Sequence, residues 1–481
     1  MAVASSSWFE SWTPPMSLLP DVYPNSLSDI RQTFGNEKEQ NMKALLPYLL
    51  TLGLFSPPTY QQSISYQSPT DRTQDTTGPF SIVYQWNLLD FEYPTEEERL
   101  EAISSESFIK ENNLPLGIDV WKDRIFLSMP RWKSGVPATL AWLPRQPETP
   151  SPRLRPYPNW EWHTSGSCMG LTSVFRMQVD SCGRLWVLDS GLIDVTIKPV
   201  QMCPPQILVF DLETDKLVRR HVLKDEHIKQ DSLYSNIVID VRDGDCENVH
   251  AYATDVWRFG ILVYSLKNDH SWRVTNHLFY PDPLAAAYKL HDLEYSWTDG
   301  VFGLSLSPYD KSFDDRILYF HAMSSFREFY VKTSVICNET GWEDAADEFK
   351  LLGQSRGKNG HTSASAMDEN GILYFNLVSR DSVGCWDSRK AYKRDNIGVI
   401  AKNNVTLIFP NDLRLDKEQR QGLWLVSNRL PFYLYRELDP NDTNFRVMHA
   451  FTDEAVKNTI CEPTVSQVDS YLEYSNDVDC Y

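Results

Sequence analysis

One pattern of short strands recurs along the chain and limits the fold more than any other feature. Its clearest copy covers residues 175–222, where apolar or alternating segments at 175–179, 185–188, 207–212 and 217–222 are separated by turn-forming residues. Gly183 lies in the first of these turns and is free to adopt a positive φ. A meander of four antiparallel strands cannot bury both of its faces alone, so it needs similar sheets on either side.

Similar copies are present elsewhere in the chain, and an aromatic residue marks the second strand of each one. These landmarks are separated by 60, 66, 67, 55 and 50 residues, and they are Phe126, Trp186, Tyr252, Tyr319, Tyr374 and Trp424. Repeats of this size, each a small sheet, are typical of a β-propeller. The sequence therefore predicts an all-β fold, a six-bladed β-propeller with four-stranded antiparallel blades. The lone strand at 80–86 is expected to close the ring by pairing with the last blade.

Several short motifs resemble the yellow / major royal jelly protein family of insects. They are Gly170-Leu-Thr-Ser-Val-Phe-Arg176, Asp189-Ser-Gly191, Met202-Cys-Pro204, Gly384-Cys-Trp386 and Leu425-Val-Ser-Asn-Arg-Leu430. The resemblance runs from about Phe80 to about Phe451. It implies a six-bladed propeller, in agreement with the repeat count.

The resemblance also implies three functions. Some yellow-type proteins are similar to enzymes that rearrange dopachrome, with loss of carboxylate, to 5,6-dihydroxyindole during melanin formation. Salivary relatives resemble proteins that bind serotonin and catecholamines in the propeller channel, and royal jelly relatives are nutritive and oligomeric. Three hypotheses follow for this chain: a dopachrome isomerase, a non-catalytic amine-binding protein, and a structural protein of cuticle or pigment patterning.

The N-terminal part of the chain differs in composition from the repeats. Residues 1–41 are polar and lack a periodic pattern, so translation starts at Met42 or this stretch is an extension of the gene model. Residues 42–65 carry a basic residue before a short apolar run, which predicts a secretory signal peptide, although a buried strand or helix is the alternative. The propeller is assigned to 66–451 and a C-terminal tail to 452–481.

The cysteines and sequons suit a secreted, extracellular glycoprotein. Eight cysteines favour an oxidising compartment. Two disulfides are predicted from position, Cys182–Cys246 between the first hairpin turns of neighbouring blades and Cys168–Cys203 at the opposite rim of one blade. The other four cysteines are assigned as Cys337–Cys385 and Cys461–Cys480. Glycosylation is predicted at three sequons, Asn338, Asn404 and Asn441.

The chain is strongly acidic, which bears on its partners. Its net charge is −19, and about −17 remains without residues 1–65, which hold five acids and three bases. Such a field repels nucleic acid and anionic membranes and attracts cations, including protonated amines. Solubility alone explains the charge equally well. No nucleic-acid or membrane partner is predicted, and the oligomeric state stays open.

The chemistry has to come from the channel, because the sequence has no phosphate-binding Gly-rich loop, nucleophile elbow or HExxH motif. No cofactor and no metal are predicted. Ligands of propellers usually lie where loops surround the channel, so the site is expected where the first strands begin, near Ser173, Asp299 and Ser363. The candidate ligand-binding residues are Thr172, Tyr234, Asn236, Phe302, Thr362, Asn376, Asn428 and Arg429.

Aromatic faces, hydroxyls and amides together suit a small aromatic amine or an indoline-type ligand. The alternative is that the same residues cap strands or brace corners. His163 and His361 each precede a first strand and are followed by Thr-Ser, which makes them the candidates for a catalytic acid or base. A structural role is the alternative for both histidines.

Overall fold

Each predicted repeat forms one sheet, and the six sheets make a propeller. The computed structural model describes residues 78–146, 148–164 and 166–463. The predicted extension and signal peptide lie outside the described residues, as does most of the tail. The predicted six-bladed architecture is confirmed, because the described residues form six four-stranded antiparallel sheets and two small hairpins.

The strands follow the predicted order closely. The first strand is β1 (Ser81–Trp86), and blade 1 contains β2 (Gly117–Trp121), β3 (Arg124–Ser128), β4 (Leu140–Pro144) and β5 (Arg155–Pro156). Blade 2 contains β6 (Val174–Val179), β7 (Arg184–Asp189), β10 (Gln206–Asp211) and β11 (Lys216–Val222). Between β7 and β10 the chain forms the hairpin of β8 (Leu192–Ile193) and β9 (Val200–Gln201).

The second half begins with the blade 3 strands β12 (Tyr234–Asp240), β13 (His250–Asp255), β14 (Gly260–Ser265) and β15 (His270–Thr275), followed by the hairpin β16 (Ala287–Leu290) and β17 (Leu293–Ser296). Blade 4 contains β18 (Val301–Leu306), β19 (Ile317–Ala322), β20 (Glu328–Lys332) and β21 (Lys350–Leu352). Blade 5 contains β22 (Thr362–Met367), β23 (Ile372–Leu377), β24 (Ser382–Asp387) and β25 (Ile397–Lys402). Blade 6 contains β26 (Pro410–Leu415), β27 (Gly422–Ser427) and β28 (Phe445–Phe451).

Helices are short and lie in the connections between strands or, in one case, after the last strand. The α-helices are α1 (Glu96–Ser104), α2 (Thr333–Ile336), α3 (Leu430–Tyr435) and α4 (Thr452–Ala455). The 3-10 turns are Lys110–Asn112, Trp160–His163, Asp225–His227, His277–Phe279, Pro283–Ala285, Ala346–Glu348 and Arg394–Asn396. In the part of the chain that the structure describes, no helix is long and apolar enough to cross a membrane.

The ring closes through the first strand of the chain. β1 pairs with β28, with Trp86 opposite Phe445, and becomes the outermost strand of blade 6. The other strands of that blade come from the end of the chain, so the two ends of the propeller are joined by backbone hydrogen bonds. The predicted closure is confirmed, and it covers the edge of β28 with a paired strand.

Four of the six aromatic landmark residues donate a hydrogen bond to an aspartate at the end of the innermost strand of their blade. Asp180 accepts a hydrogen bond from the indole N–H of Trp186 at 2.8 Å, and Asp416 accepts one from that of Trp424 at 2.9 Å. Blades 5 and 3 use a tyrosine hydroxyl instead, with Tyr374 donating to Asp368 at 2.9 Å and Tyr252 donating to Asp240 at 3.4 Å.

The same carboxylates hold the turn between the first two strands of the blade. Asp180 accepts the backbone N–H groups of Cys182 and Arg184, and Asp368 accepts those of Asn370 and Ile372. One side chain therefore ties a turn to the second strand and satisfies buried donors at both places.

A β-bulge near the start of the innermost strand repeats in blades 2 to 6. The register shifts between the residue pairs Val174/Arg176, Tyr234/Asn236, Val301/Gly303, Thr362/Ser365 and Pro410/Asp412. A bulge inserts one unpaired residue and redirects side chains. The inserted positions include Phe175 and Phe302, whose rings meet inside the ring of blades.

Two of the four assigned disulfides are confirmed and two are wrong. Cys168–Cys203 and Cys182–Cys246 form as predicted. Cys385 pairs with Cys461, and not with Cys337, because the chain after α4 returns to the outer part of blade 5. This bond also excludes the assigned Cys461–Cys480 pair, whose second member lies outside the described residues. Cys337 is a free thiol whose sulfur lies 3.0 Å from the Tyr252 hydroxyl.

The hydrogen bond between Asp368 and Tyr374 offers a test of how much these carboxylates stabilise a blade. Tyr374→Phe removes the donor and leaves a buried carboxylate oxygen without it, so we expect the free energy of unfolding to fall by about 1–3 kcal/mol. Tyr280→Phe is the control because Tyr280 is 57% exposed. Denaturant unfolding measures both variants, and equal stability of the two would contradict a stabilising role for this bond.

Candidate functional site

Two phenylalanines and an arginine meet inside the ring of blades. The rings of Phe175 and Phe302 meet edge to face with centroids 6.0 Å apart. The Arg176 guanidinium lies 4.6 Å from the Phe302 ring, and it donates a 2.6 Å hydrogen bond to the Asn411 carbonyl. We call the end of the channel where the innermost strands begin the strand-start end, and the opposite end the turn end.

A buried polar network lies beside these rings. The Asn236 amide donates to the Phe302 carbonyl at 2.9 Å, and its oxygen accepts from Arg414 at 3.0 Å. Asp412 lies 3.5 Å from Arg176 and balances its charge. Asn236, a predicted ligand-binding residue, therefore connects its own strand β12 to β18 of the neighbouring blade and to β26 on the opposite side of the ring. We expect it to hold Phe302 and Arg414 in place.

Aromatic side chains cover the strand-start end of the axis. Trp297 follows the β16–β17 hairpin and donates its indole N–H to the Tyr435 hydroxyl at 2.7 Å, while its ring lies 6.0 Å from that of Phe409. Tyr435 and Phe409 belong to blade 6 and its loops, whereas Trp297 comes from the connection between blades 3 and 4. Since blades 3 and 6 lie on opposite sides of a six-bladed ring, these contacts cross the axis.

We call this group the aromatic cap and define it as Trp132, Phe175, Tyr295, Trp297, Phe302, Phe409 and Tyr435. An ion pair of 3.0 Å between Asp292 and Arg436 joins the hairpin to the residue after α3. The cap rings are faces on which a flat ligand can stack.

Asp299 is the carboxyl group of the aromatic cap region. It lies two residues after Trp297 and two before β18, and the residue as a whole is intermediate between buried and exposed. Burial raises the pKa of Asp299 to about 6, although the hydrogen bond from Trp257 opposes that shift. A carboxyl group with this pKa is ionised at neutral pH and basic enough to accept a proton from a substrate.

Asn376 is the predicted residue whose functional group is free in the described structure. Its side chain is fully buried on β23, and neither the amide nitrogen nor the amide oxygen has a hydrogen-bond partner in the protein. Its neighbour Leu377 pairs with Thr362, at the strand-start end of blade 5. A buried unpaired amide is costly, so a group of this kind needs an explanation such as a ligand.

The remaining candidates from the sequence are held by structural hydrogen bonds. The Tyr234 hydroxyl donates to the His227 carbonyl at 2.7 Å, and the Asn428 amide donates to the Pro115 carbonyl at 2.9 Å. Arg429 forms an ion pair with Asp442 at 2.7 Å.

Thr172 and Thr362 also lie at the strand-start end, where their hydrogen bonds are local. Asp189 accepts the backbone N–H of Thr172 at 2.7 Å, and the Thr362 hydroxyl donates to the Gly360 carbonyl at 3.4 Å. The predicted residues thus lie around one end of the channel, but most of them brace it.

Both candidate histidines are buried with both ring nitrogens engaged. His163 lies within hydrogen-bond distance of the Tyr157 carbonyl (3.1 Å) and the Thr139 N–H (3.3 Å). His361 is bonded to the Ala285 carbonyl at 2.9 Å and to Ser379 at 2.8 Å. Burial lowers the pKa of His163 to about 3, helped by the charge of Arg131, and lowers that of His361 to about 4. The catalytic assignment of both stays a prediction, and this geometry favours structural roles.

Sequence reasoning missed the residues that converge from distant loops. Trp297, Phe409 and Tyr435 come from three separate connections, and no spacing along the chain relates them. Arg176 and Arg414 lie on predicted innermost strands, where an arginine inside an otherwise apolar strand could have indicated the axial network. Among the described residues, no group of three or more His, Cys, Asp or Glu side chains is arranged to hold a metal ion.

The low pKa values of the two histidines predict how stability depends on pH. As the pH falls from 6.5 towards 4, the unfolded chain binds protons that the folded protein does not, so the free energy of unfolding falls. Each histidine contributes about 1.4 kcal/mol per pH unit in this range. We therefore expect His163→Gln to have a shallower pH dependence than the wild type, measured by denaturant unfolding between pH 5 and 7.

The exposed His277 provides the matched control, because His277→Gln changes a side chain outside the core. It is expected to keep the pH dependence of the wild type. An unchanged slope in His163→Gln would show that His163 takes up its proton in the folded state, and this would restore it as an acid or base candidate.

Solved structures resemble this chain only weakly. A virginiamycin B lyase from Staphylococcus aureus aligns with a TM-score of 0.38 at 11% identity over 71% of this chain and 96% of that chain. A luciferin-regenerating enzyme aligns with a TM-score of 0.40 at 10% identity over 72% of this chain and 94% of that chain. These similarities carry no argument about the site.

Sequence comparisons are much stronger. The model of the family described as Major royal jelly protein matches residues 172–461. A dopaminechrome tautomerase of Drosophila melanogaster is 46% identical over 398 residues, which are 81% of this chain and 85% of that protein. Protein yellow of Drosophila erecta is 37% identical over 383 residues, 79% of this chain and 70% of that protein. The chain therefore belongs to the yellow / major royal jelly protein family.

Proposed function

We propose that this protein is an isomerase that converts aminochromes, the indoline quinones formed by oxidation and ring closure of catechol amines, into dihydroxyindoles. The observation that carries the proposal is the 46% identity to a dopaminechrome tautomerase over most of both chains. Identity at this level usually preserves the fold, whereas activity depends on the site itself. The residues at the strand-start end are therefore the ones to test.

The reaction needs one base and donors to oxygen, and it needs no external oxidant. In an aminochrome without a carboxylate, one hydrogen leaves each of the two saturated ring carbons, and both quinone oxygens become hydroxyls. The elemental composition is unchanged. In dopachrome, loss of carbon dioxide replaces loss of the hydrogen at the carbon next to nitrogen. In both substrates, electron density moves from a ring carbon to the quinone oxygens, where donors stabilise it.

The strand-start end offers a group for each requirement. The Asp299 carboxylate can accept a proton from the ring carbon, because it is ionised at neutral pH and its raised pKa makes it a stronger base than an ordinary aspartate. The Asn376 amide has unused hydrogen-bonding capacity for a quinone oxygen. Phe302 and Trp297 provide ring faces for a planar substrate.

Asp299 also bears on the choice between the two substrates. A carboxylate at the base position repels the carboxylate of dopachrome and does not repel an uncharged aminochrome. We therefore propose a catecholamine-derived aminochrome such as dopaminechrome as the preferred substrate, with dopachrome, the expectation from the sequence, as the second.

The sharpest test is Asp299→Asn, which keeps the shape of the side chain and removes its basicity. We expect kcat/KM for dopaminechrome to fall at least about 100-fold, the scale of a lost general base. In the wild type, kcat/KM should fall as the pH drops through about 6, because protonated Asp299 cannot accept a proton. Decay of aminochrome absorbance measures both effects, with boiled protein as the blank.

Asp344→Asn is the matched control, since Asp344 is an exposed carboxylate outside the aromatic cap. It should keep the wild-type rate and pH profile. Full activity of Asp299→Asn, combined with loss of activity in His163→Gln or His361→Gln of unchanged fold, would return the base to a histidine. No acceleration by the wild type with either aminochrome would refute the proposed function.

Amine binding without turnover is the second candidate, favoured by a carboxylate beside aromatic rings, which suits an ammonium group. If it holds, serotonin should quench tryptophan fluorescence in a saturable manner, and Trp297→Phe should reduce the quenching. Trp342 lies in another loop, so Trp342→Phe is the control. Serotonin should quench the fluorescence of this variant as it does that of the wild type. Absence of both quenching and turnover would favour a structural role in cuticle or pigment patterning.

We also propose that the protein acts outside the cell. Three disulfides are present among the described residues. The three sequon asparagines, Asn338, Asn404 and Asn441, are all exposed, as glycan attachment requires. Both features fit the secretory pathway.

A further inference from the structure

A cavity of about 560 Å³ opens at the turn end of the axis, away from the aromatic cap. The innermost strands of five blades line it, through Gln178, Val238, Leu304, Ser365 and Arg414 among others. We call it the turn-end cavity. Its volume lies within the range of small-molecule sites in proteins. The rings of Phe175 and Phe302 are not part of its lining, so it belongs to a different section of the channel from the cap.

The interior of the turn-end cavity carries polar groups without partners in the protein. The hydroxyls of Ser305 and Ser365 and the Nε of Arg414 have no hydrogen-bond partner among the described residues. Ser305 and Ser365 are 2% exposed and Arg414 is 4% exposed. Buried polar groups are almost always hydrogen-bonded, so three unpaired ones along one cavity point to a ligand.

The donors identify the complementary chemistry. The Nε of Arg414 can only donate, and serine hydroxyls donate readily to an anion. Asp412, the carboxylate that forms an ion pair with Arg414, lies 3.8 Å from this Nε, beyond hydrogen-bond distance, and accepts the backbone N–H groups of Ile118 and Leu413. A ligand that satisfies all three groups therefore presents acceptor oxygens, and a carboxylate does so with charge-assisted hydrogen bonds.

The rest of the lining defines the body of the ligand. Val238, Leu304 and Met367 contribute apolar surface beside the donors. Some of the charged residues in the lining form ion pairs, as Arg316 does with Asp240 at 2.8 Å and Lys311 does with Asp243. Charges that are already paired at the surface contribute little to ligand selectivity, so the polar groups inside the cavity determine which ligand binds.

We propose that the turn-end cavity is a second binding site, which takes a small carboxylate with an apolar body. The carboxylate accepts from Ser305, Ser365 and Arg414, and the apolar part packs on the aliphatic side chains. This site is separate from the one proposed for aminochromes, and neither proposal depends on the other.

Isothermal titration calorimetry of the full-length protein with benzoate tests the site, with benzyl alcohol as the uncharged probe of similar size. We expect benzoate to bind and benzyl alcohol to bind at least tenfold more weakly. The double variant Ser305→Ala/Ser365→Ala should weaken benzoate binding at least tenfold, while it keeps the wild-type rate with dopaminechrome.

Ser235→Ala is the matched control, because Ser235 is a buried serine of an innermost strand whose hydroxyl is paired with Thr254 outside the cavity. It should bind benzoate like the wild type, and so should Asp299→Asn. The proposal is overturned by any of three results: no benzoate binding at millimolar concentration, equal affinity of the double serine variant, or loss of binding in Asp299→Asn with retention in the double serine variant.

Discussion

The hydrogen bond from an aromatic side chain to the aspartate at the end of the innermost strand is the interaction on which blades 2, 3, 5 and 6 depend. In blades 2 and 6 a tryptophan donates it, and in blades 3 and 5 a tyrosine does. The carboxylate also receives backbone N–H groups of the adjoining turn, so one buried charge fixes the turn and the second strand together. Once each blade has a fixed shape, neighbouring blades can pack and β1 can close the ring.

The β-bulges at the starts of the innermost strands determine which side chains lie inside the ring of blades. They place Phe175 and Phe302 inside the ring of blades, where the two rings meet and Arg176 lies against Phe302. The two ends then differ in chemistry. The strand-start end combines aromatic rings with the Asp299 carboxylate, which suits a flat, cationic or neutral molecule. The turn end combines unpaired donors with aliphatic surface, which suits an anion.

Burial has opposite consequences for the two candidate histidines and for Asp299. His163 and His361 satisfy both ring nitrogens inside the protein, and burial keeps them neutral. In Asp299, by contrast, burial raises the pKa to about 6, which is closer to the working range of a general base. A histidine before a strand and a carboxylate before a strand look equally suitable in the sequence, and only their surroundings distinguish them.

Much of the fold was predictable because strand periodicity and turn residues act over short distances. The strands of blade 2 were predicted to within one residue, and the disulfide between Cys182 and Cys246 followed from their equivalent turns. The bond between Cys385 and Cys461 was not predictable, since it depends on the path of the chain after β28. For the site, the sequence indicated the strand-start end but not which side chains there are free.

The amino-acid sequence by itself determined six repeated sheets, the closing strand and the family. Each of these predictions depends on short strands and motifs whose residues are close together in the chain. The tertiary structure alone decided that Trp297, Phe409 and Tyr435 meet over the axis, that Asn376 stays unpaired, and that Ser305 and Ser365 line a cavity. These features arise where residues from different blades approach each other. Pairing and burial there depend on how six separate sheets pack, and no local pattern encodes that packing.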